Sequence, residues 1–283
     1  MKDRFIGIDN INDEKRDNRF HLCVVQAYGR PMSHLKSAIQ DDGIAVVTFA
    51  RPPMNAMDAE LLEEIAALFD RLASDRSVRA AVLTGEGRAF SAGLDLKLLP
   101  TLDTAAQHRL IAAMNDGFGT LYAWPKPLVT AINGHAIAGG MVVALCGDWR
   151  IVADVPLKAS FAEVKVGVRY PVAALDVARS ELAPTAARRM VLLGEELDAA
   201  GAVALQVFDE CVTPDTLLAR AIARARKDAA LPPEAFATIK RELRSPALAR
   251  IAAARGGQAE PRYFGWLTEE TRIAAAAALR GAG

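Results

Sequence analysis

The chain is poor in the residues that mark several functional classes. Its 283 residues include 3 cysteines, Cys23, Cys146 and Cys211, too few and too scattered for a disulfide framework or a zinc site. No excess of either charge exists: Lys plus Arg and Asp plus Glu each total 34, so nothing in the composition favours nucleic acid or an anionic membrane. No apolar run approaches the ~20 residues needed to cross a bilayer, and Leu22 to Val25 is too short for the core of a signal peptide. These absences predict a cytoplasmic protein. Residues 1–31 carry charges of both signs ahead of Met32, read as a flexible extension or an upstream start, and no function is assigned to them.

What is present is core-forming material, 52% hydrophobic against 24% charged, enough for one large domain or two small ones. Ile44 to Phe49 has the β-branched character of a strand, and Pro52-Pro53 forbids its continuation. Asp58 is placed to cap a helix whose Leu61, Leu62, Ile65, Leu68, Phe69 and Leu72 recur at helical spacing. A second strand, Val78 to Thr84, makes the unit β-α-β and the fold class α/β. Gly85 to Phe90 begins like a dinucleotide-binding loop, but Phe90 occupies the third glycine's place and no helix opens behind it. Helices are predicted over 105–122, 184–193, 215–229, 232–243 and 268–279, with another starting at Leu197-Asp198-Ala199-Ala200. The last third carries almost no strand signal.

The most informative stretch runs from Ala131 to Asp148. Leu128 to Ile132 reads as a buried strand, Asn133-Gly134 as a turn, and Met141 to Leu145 as the start of a helix. Two consecutive glycines, Gly139-Gly140, cost stability at a helix start, so the position requires a bare backbone, either for close packing or for an approaching ligand atom. The first amides of a helix lack internal partners and suit an oxygen that gathers negative charge.

Taken together and in order, Arg51-Pro-Pro-Met-Asn-Ala56, Phe90-Ser-Ala-Gly-Leu-Asp-Leu-Lys97, Asn133-Gly-His-Ala-Ile-Ala-Gly-Gly140, Glu163-Val-Lys-Val-Gly167 and Leu197-Asp-Ala-Ala200 resemble the crotonase superfamily, also called the enoyl-CoA hydratase/isomerase family. The resemblance implies a spiral of ββα units over 32–225 and a C-terminal helical segment over 226–283 that builds homotrimers or hexamers. It implies a coenzyme A thioester as substrate, with no separate cofactor. The thioester oxygen would meet the backbone amides of Leu94 and Gly139. Ala92, Lys97, Arg51 and Ala56 would contact the coenzyme A moiety.

Within that family the number of acids discriminates. Hydratases use two glutamates; here the first position is Val142, and only Glu163 remains. Dienoyl-CoA isomerases need an acid where this chain has Pro171, and Val168-Arg-Tyr-Pro171 replaces the hydratase's glycine-rich turn. A single carboxylate resembles the Δ3,Δ2-enoyl-CoA isomerases, in which one base carries a proton from C2 to C4. The apolar neighbours Phe161, Ala162 and Val164 predict burial of Glu163 and a raised pKa. Without the resemblance Glu163 reads as an exposed strand-end carboxylate. The competing readings are a hydratase with a substitute polar group, an epoxide-opening acyl-CoA isomerase, and a non-catalytic acyl-CoA binder. His135 has no ligand or base partner at suitable spacing and is expected to pack. Asp148 and Arg150 are expected to form a structural ion pair, Ser91 has no visible base, and no metal site is apparent.

Overall fold

A computed structural model of the protein describes residues 34–255, 260–263 and 265–271, with positions 273, 274 and 277. The expected extension over 1–31 lies outside the described residues. Strands β1 (Leu35–Ile39) and β2 (Ile44–Phe49) form an antiparallel hairpin, and α1 (Ala59–Ser74) follows. Asp58 caps α1 as its sequence position predicts, accepting from the Leu61 amide at 2.9 Å.

From there the chain repeats one unit. A strand enters the main sheet, a second short strand enters a smaller sheet, and a helix returns. The first turn is β3 (Ala80–Gly85), β4 (Ala89–Ser91) and α2 (Thr104–Ala123). The second is β5 (Leu128–Ile132), β6 (His135–Ile137) and α3 (Gly139–Leu145). The third is β7 (Trp149–Ala153), β8 (Ala159–Ser160) and α4 (Val172–Glu181). This is the spiral of ββα units that the motifs imply.

Helix α5 (Pro184–Ala186) runs on as π-helical turns over Ala187–Leu192, and then come β9 (Glu196–Leu197), α6 (Ala199–Ala204) and β10 (Glu210–Val212). Helices α7 (Leu217–Asp228), α8 (Pro233–Leu243) and α9 (Ser245–Arg255) complete the order, and every described position from 269 onward is helical. The main sheet has the order β1-β2-β3-β5-β7-β10 and the smaller one β4-β6-β8-β9. The last third, where the sequence carries almost no strand signal, holds β9 and β10; β10 pairs in parallel with β7, and two or three residues are too few to show a period. Helix α4 also escaped the sequence reading, its apolar face being built mostly of alanines.

Both faces of the main sheet are covered, as a largely parallel sheet requires. Ala45, Val47, Phe49, Ala81 and Leu83 face the core shared with α1 and α2. Their neighbours Ile44, Ala80 and Val82 turn to the other face, where α7 lays Leu217, Ala221, Ile222 and Ala225 at helical spacing. Helix α9 packs on α2 and α4, and its Ile251 joins the main core.

The expected Asp148–Arg150 pair does not form. Asp148 instead takes Lys240 at 2.7 Å and Arg244 at 3.1 Å, two cations that α8 and its C-cap present one turn apart. Arg150 pairs with Glu181, which also receives Arg244 at 3.3 Å. The side chains of Lys240 and Arg244 are buried, so removing Asp148 leaves Arg244 with Glu181 alone and strands the Lys240 charge in a poorly solvated place. Asp148→Ala is expected to cost about 3 kcal/mol of stability, read as a lower urea midpoint at unchanged slope. A change near zero would show that these cations are solvated without Asp148.

Candidate active site

The end of β4 and the start of α3 meet at a corner that only small residues permit. Gly93 adopts φ 73°, and a Cβ there would lie 2.5 Å from Ile137 O and 2.8 Å from the Gly139 nitrogen. That proximity sets the 93–94 turn beside the first amide of α3. Met57 bridges the turn, donating to Gly93 O at 2.7 Å and accepting from the Asp95 amide at 2.9 Å, a pattern that passes over the Leu94 amide. The Gly139 amide, first in α3, has no intrahelical acceptor.

Just before it, Ala138 is held at φ 51° and ψ −120°, a region costly for a residue with a side chain, by roughly 1–3 kcal/mol. Its amide donates to Ser160 O at 2.8 Å, and its carbonyl accepts from Met141 at 2.9 Å and Val142 at 3.2 Å. The two glycines divide the roles left open by the sequence. A Cβ on Gly140 would stand 2.2 Å from Ser91 O, so close packing alone excludes a side chain there. Gly139 instead borders a cavity.

That cavity is narrow and opens to solvent. Ala92, Leu94, Gly139 and Glu163 all line it, so the structure brings together four of the site residues expected from the sequence. Met57, Leu62, Met114, Phe118 and Trp266 supply apolar walls. Glu163 and Arg169 are the two ionisable side chains in the lining among the described residues.

Glu163 sits in the turn after β8, 8% exposed, rather than at an exposed strand end. Its Oε2 is buried without a hydrogen-bond partner among the described residues. Desolvation pushes the carboxyl up to about 7, opposed in part by its own backbone and by the Tyr170 hydroxyl beside it. Tyr170 is itself pushed well up, by burial and then by the Glu163 charge.

The residues expected to meet coenzyme A lie apart from this lining, Ala92 excepted. Arg51 braces its own loop: it donates to Ala56 O and pairs with Asp58 at 2.8 Å, while Asp95 stands 3.7 Å away on the neighbouring loop. Lys97 is exposed next to Leu96, a cavity residue, and its amide donates to Asp95 Oδ1 at 3.2 Å. Ser91 serves the backbone, donating to Asn55 O at 2.7 Å and accepting from the Gly93 amide at 3.1 Å. His135 accepts from the Lys158 amide at 3.0 Å, and burial together with Arg88 and Lys158 lowers its pKa. No group of three or more metal-binding side chains occurs among the described residues.

The apolar walls were not singled out from the sequence. Met114 and Phe118 lie one helical turn apart on α2, a spacing that any core-facing pair would share. Trp266 lies in an irregular segment with no period at all.

Residues 40–274 match the family model described as enoyl-CoA hydratase/isomerase. The chain belongs to this family. It is similar to a Mycobacterium tuberculosis protein named as a probable enoyl-CoA hydratase, EchA17, with 35% identity over 206 residues that cover 71% of this chain and 77% of the relative. It is also similar to human mitochondrial enoyl-CoA delta isomerase 1, 31% identical over 215 residues, 75% of this chain and 71% of the relative. The crystal structure of human mitochondrial Δ3,Δ2-enoyl-CoA isomerase superposes with a TM-score of 0.82 at 26% identity, covering 88% of this chain and 98% of that one. The apo structure of a Mycobacterium tuberculosis enoyl-CoA isomerase gives 0.71 at 33% identity, covering 80% and 97%. The chain is thus a member of an enzyme family, and the names of its relatives divide between hydratase and isomerase.

Burial of Glu163 makes a prediction about stability. Its native pKa of about 7 stands above the ordinary 4.5, so between those values the native state holds a proton that the unfolded chain has released. Stability therefore falls as pH rises through this window, and the penalty is complete above the native pKa. Glu163→Gln should escape it, gaining on the parent protein by roughly 3 kcal/mol between pH 4 and pH 8. Parallel denaturation curves at both pH values check this; a constant difference would mean that Glu163 is solvated.

Proposed function

We propose that this family member is a Δ3,Δ2-enoyl-CoA isomerase working through one carboxylate. The observation that carries the reading is the cavity lining, in which Glu163 is the single acid among the described residues. The places where other family chemistries need a second acid hold a fully buried Val142 and a wall residue, Pro171. Glu163, with its pKa near neutrality, takes a proton from C2 of a 3-enoyl thioester. The electron pair passes into a dienolate whose charge gathers on the thioester oxygen. That oxygen sits against the Leu94 and Gly139 amides, each worth about 3 kcal/mol in comparable sites, though paired donors are seldom additive.

Glu163 then returns the same proton to C4, leaving the double bond between C2 and C3. One proton moves, no water enters and no cofactor is needed; the coenzyme A thioester is the substrate. A hydratase would have to hold a water from two sides, and the lining offers one carboxylate. On this reading Ala92, the Arg51 to Ala56 loop and Lys97 flank the cavity on the coenzyme A side. The exposed Ile239 and Leu243 on α8 are consistent with burial between subunits of a homotrimer or hexamer. No helix among the described residues is long and apolar enough to cross a membrane, in keeping with a cytoplasmic site of action.

Glu163→Gln tests the assignment. Its turnover of a trans-3-enoyl-CoA should fall at least ~100-fold, the usual scale for losing a general base. Binding of a saturated acyl-CoA should persist. Turnover like that of the parent would remove Glu163 from the mechanism.

A further inference from the structure

The segment that carries Glu163 is held from outside by the end of the chain. Within itself the turn is closed by the Val168 amide donating to Glu163 O at 2.9 Å and by Lys165 and Val166 donating to Ala162 O at 3.0 and 3.2 Å. Gly167, at φ 65°, then redirects the backbone toward Pro171. Four backbone groups of residues 167–172 meet side chains from residues 260–271. Thr271 Oγ1 donates to Gly167 O at 2.7 Å, Trp266 Nε1 to Arg169 O at 2.8 Å, and Arg262 Nε to Tyr170 O at 2.5 Å. Glu260 Oε2 accepts from the Val172 amide at 3.0 Å and from Asn115 Nδ2 at 2.7 Å. Of these clamping side chains, Trp266 alone also lines the cavity, and it is 1% exposed.

A tryptophan in this position does two things at once. Its indole N–H satisfies the Arg169 carbonyl, and its ring lines the same cavity as Met57, Leu62, Met114 and Phe118, taking up volume that a hydrocarbon chain could fill. We propose that Trp266 is the specificity-determining wall of the acyl pocket and, through Arg169 O, a positioning residue for Glu163. The inference rests on the acyl-CoA reading above, and it names the substrate class further. Apart from Glu163 and Arg169 the described lining side chains are apolar, so the acyl group is an unsubstituted hydrocarbon whose size Trp266 limits. A chain that reaches the indole gains nothing from further carbons, because added methylenes meet a filled wall instead of empty apolar space.

The experiment is calorimetric titration of the full-length protein with saturated acyl-CoA thioesters of increasing length, which need no turnover. Affinity for the parent protein should stop rising at a definite length. Trp266→Ala, and Trp266→Leu as a variant that retains more packing, should extend the rise by about fourfold for each further methylene. Trp266→Phe keeps most of the wall and loses the donor. It should preserve the length limit while lowering kcat on a 3-enoyl-CoA with KM nearly unchanged. An unchanged length limit in both smaller variants overturns the wall, and parental kcat in Trp266→Phe overturns the positioning role. A parent that binds the series but does not isomerise defeats the isomerase reading and leaves the wall to be decided by binding. A parent that binds none of the thioesters overturns both.

Discussion

Removing a carboxyl group from water is the constraint on which the site depends. Glu163 lines the cavity with Val166 and Val168, one oxygen lacking a partner among the described residues, and burial raises its proton affinity until ionised and neutral forms are comparable near neutral pH. In a polar pocket the same side chain would be a much weaker base. In a fully sealed one it would remain protonated. The protein sustains the cost of this burial because Glu163 lies in a short turn pinned at both ends, by β8 before it and by the α4 N-terminus behind it.

The corner formed by residues 93–94 and 138–139 borders the cavity with backbone. Successive turns of the spiral bring β4 and β6 side by side in parallel, so the chain leaves both strands at the same edge, at Gly93-Leu94 and at Ala138-Gly139. The unfavourable backbone angles of Ala138 and the absence of a Cβ at Gly93 bring those two corners together. On the proposed reading the donors are the Leu94 and Gly139 amides, and backbone donors are indifferent to the side chain at residue 94. On that reading, amides fixed in this way would need little reorganisation as charge develops.

How much of this was legible in the sequence follows from the physics of each element. Capped amphipathic helices such as α1, with Asp58 and its periodic leucines, and β-branched strands such as β2 and β5 carry their own signals. So did the glycine-rich corners, because their bare backbone is visible as composition, and the motifs around Leu94, Gly139 and Glu163 placed the central site residues on one cavity. The strands β8 and β9 and the alanine-faced α4 left no periodic trace. Long-range partnerships were invisible as well: Asp148 was matched with its sequence neighbour Arg150, whereas folding supplies Lys240 and Arg244 from 92 and more residues away. Trp266 falls in the same category, its role arising only where the chain end returns to the turn behind Glu163.

The central claim is that one buried carboxylate and two backbone amides shift a double bond without adding water. The most direct test supplies the purified protein with trans-3-enoyl-CoA in one cell and trans-2-enoyl-CoA in another, following the ultraviolet absorbance of the conjugated thioester. The account predicts that conjugation appears in the first cell and is retained in the second. Loss of conjugation in the second, with the first unchanged, would show that the protein hydrates its substrate and would contradict the account.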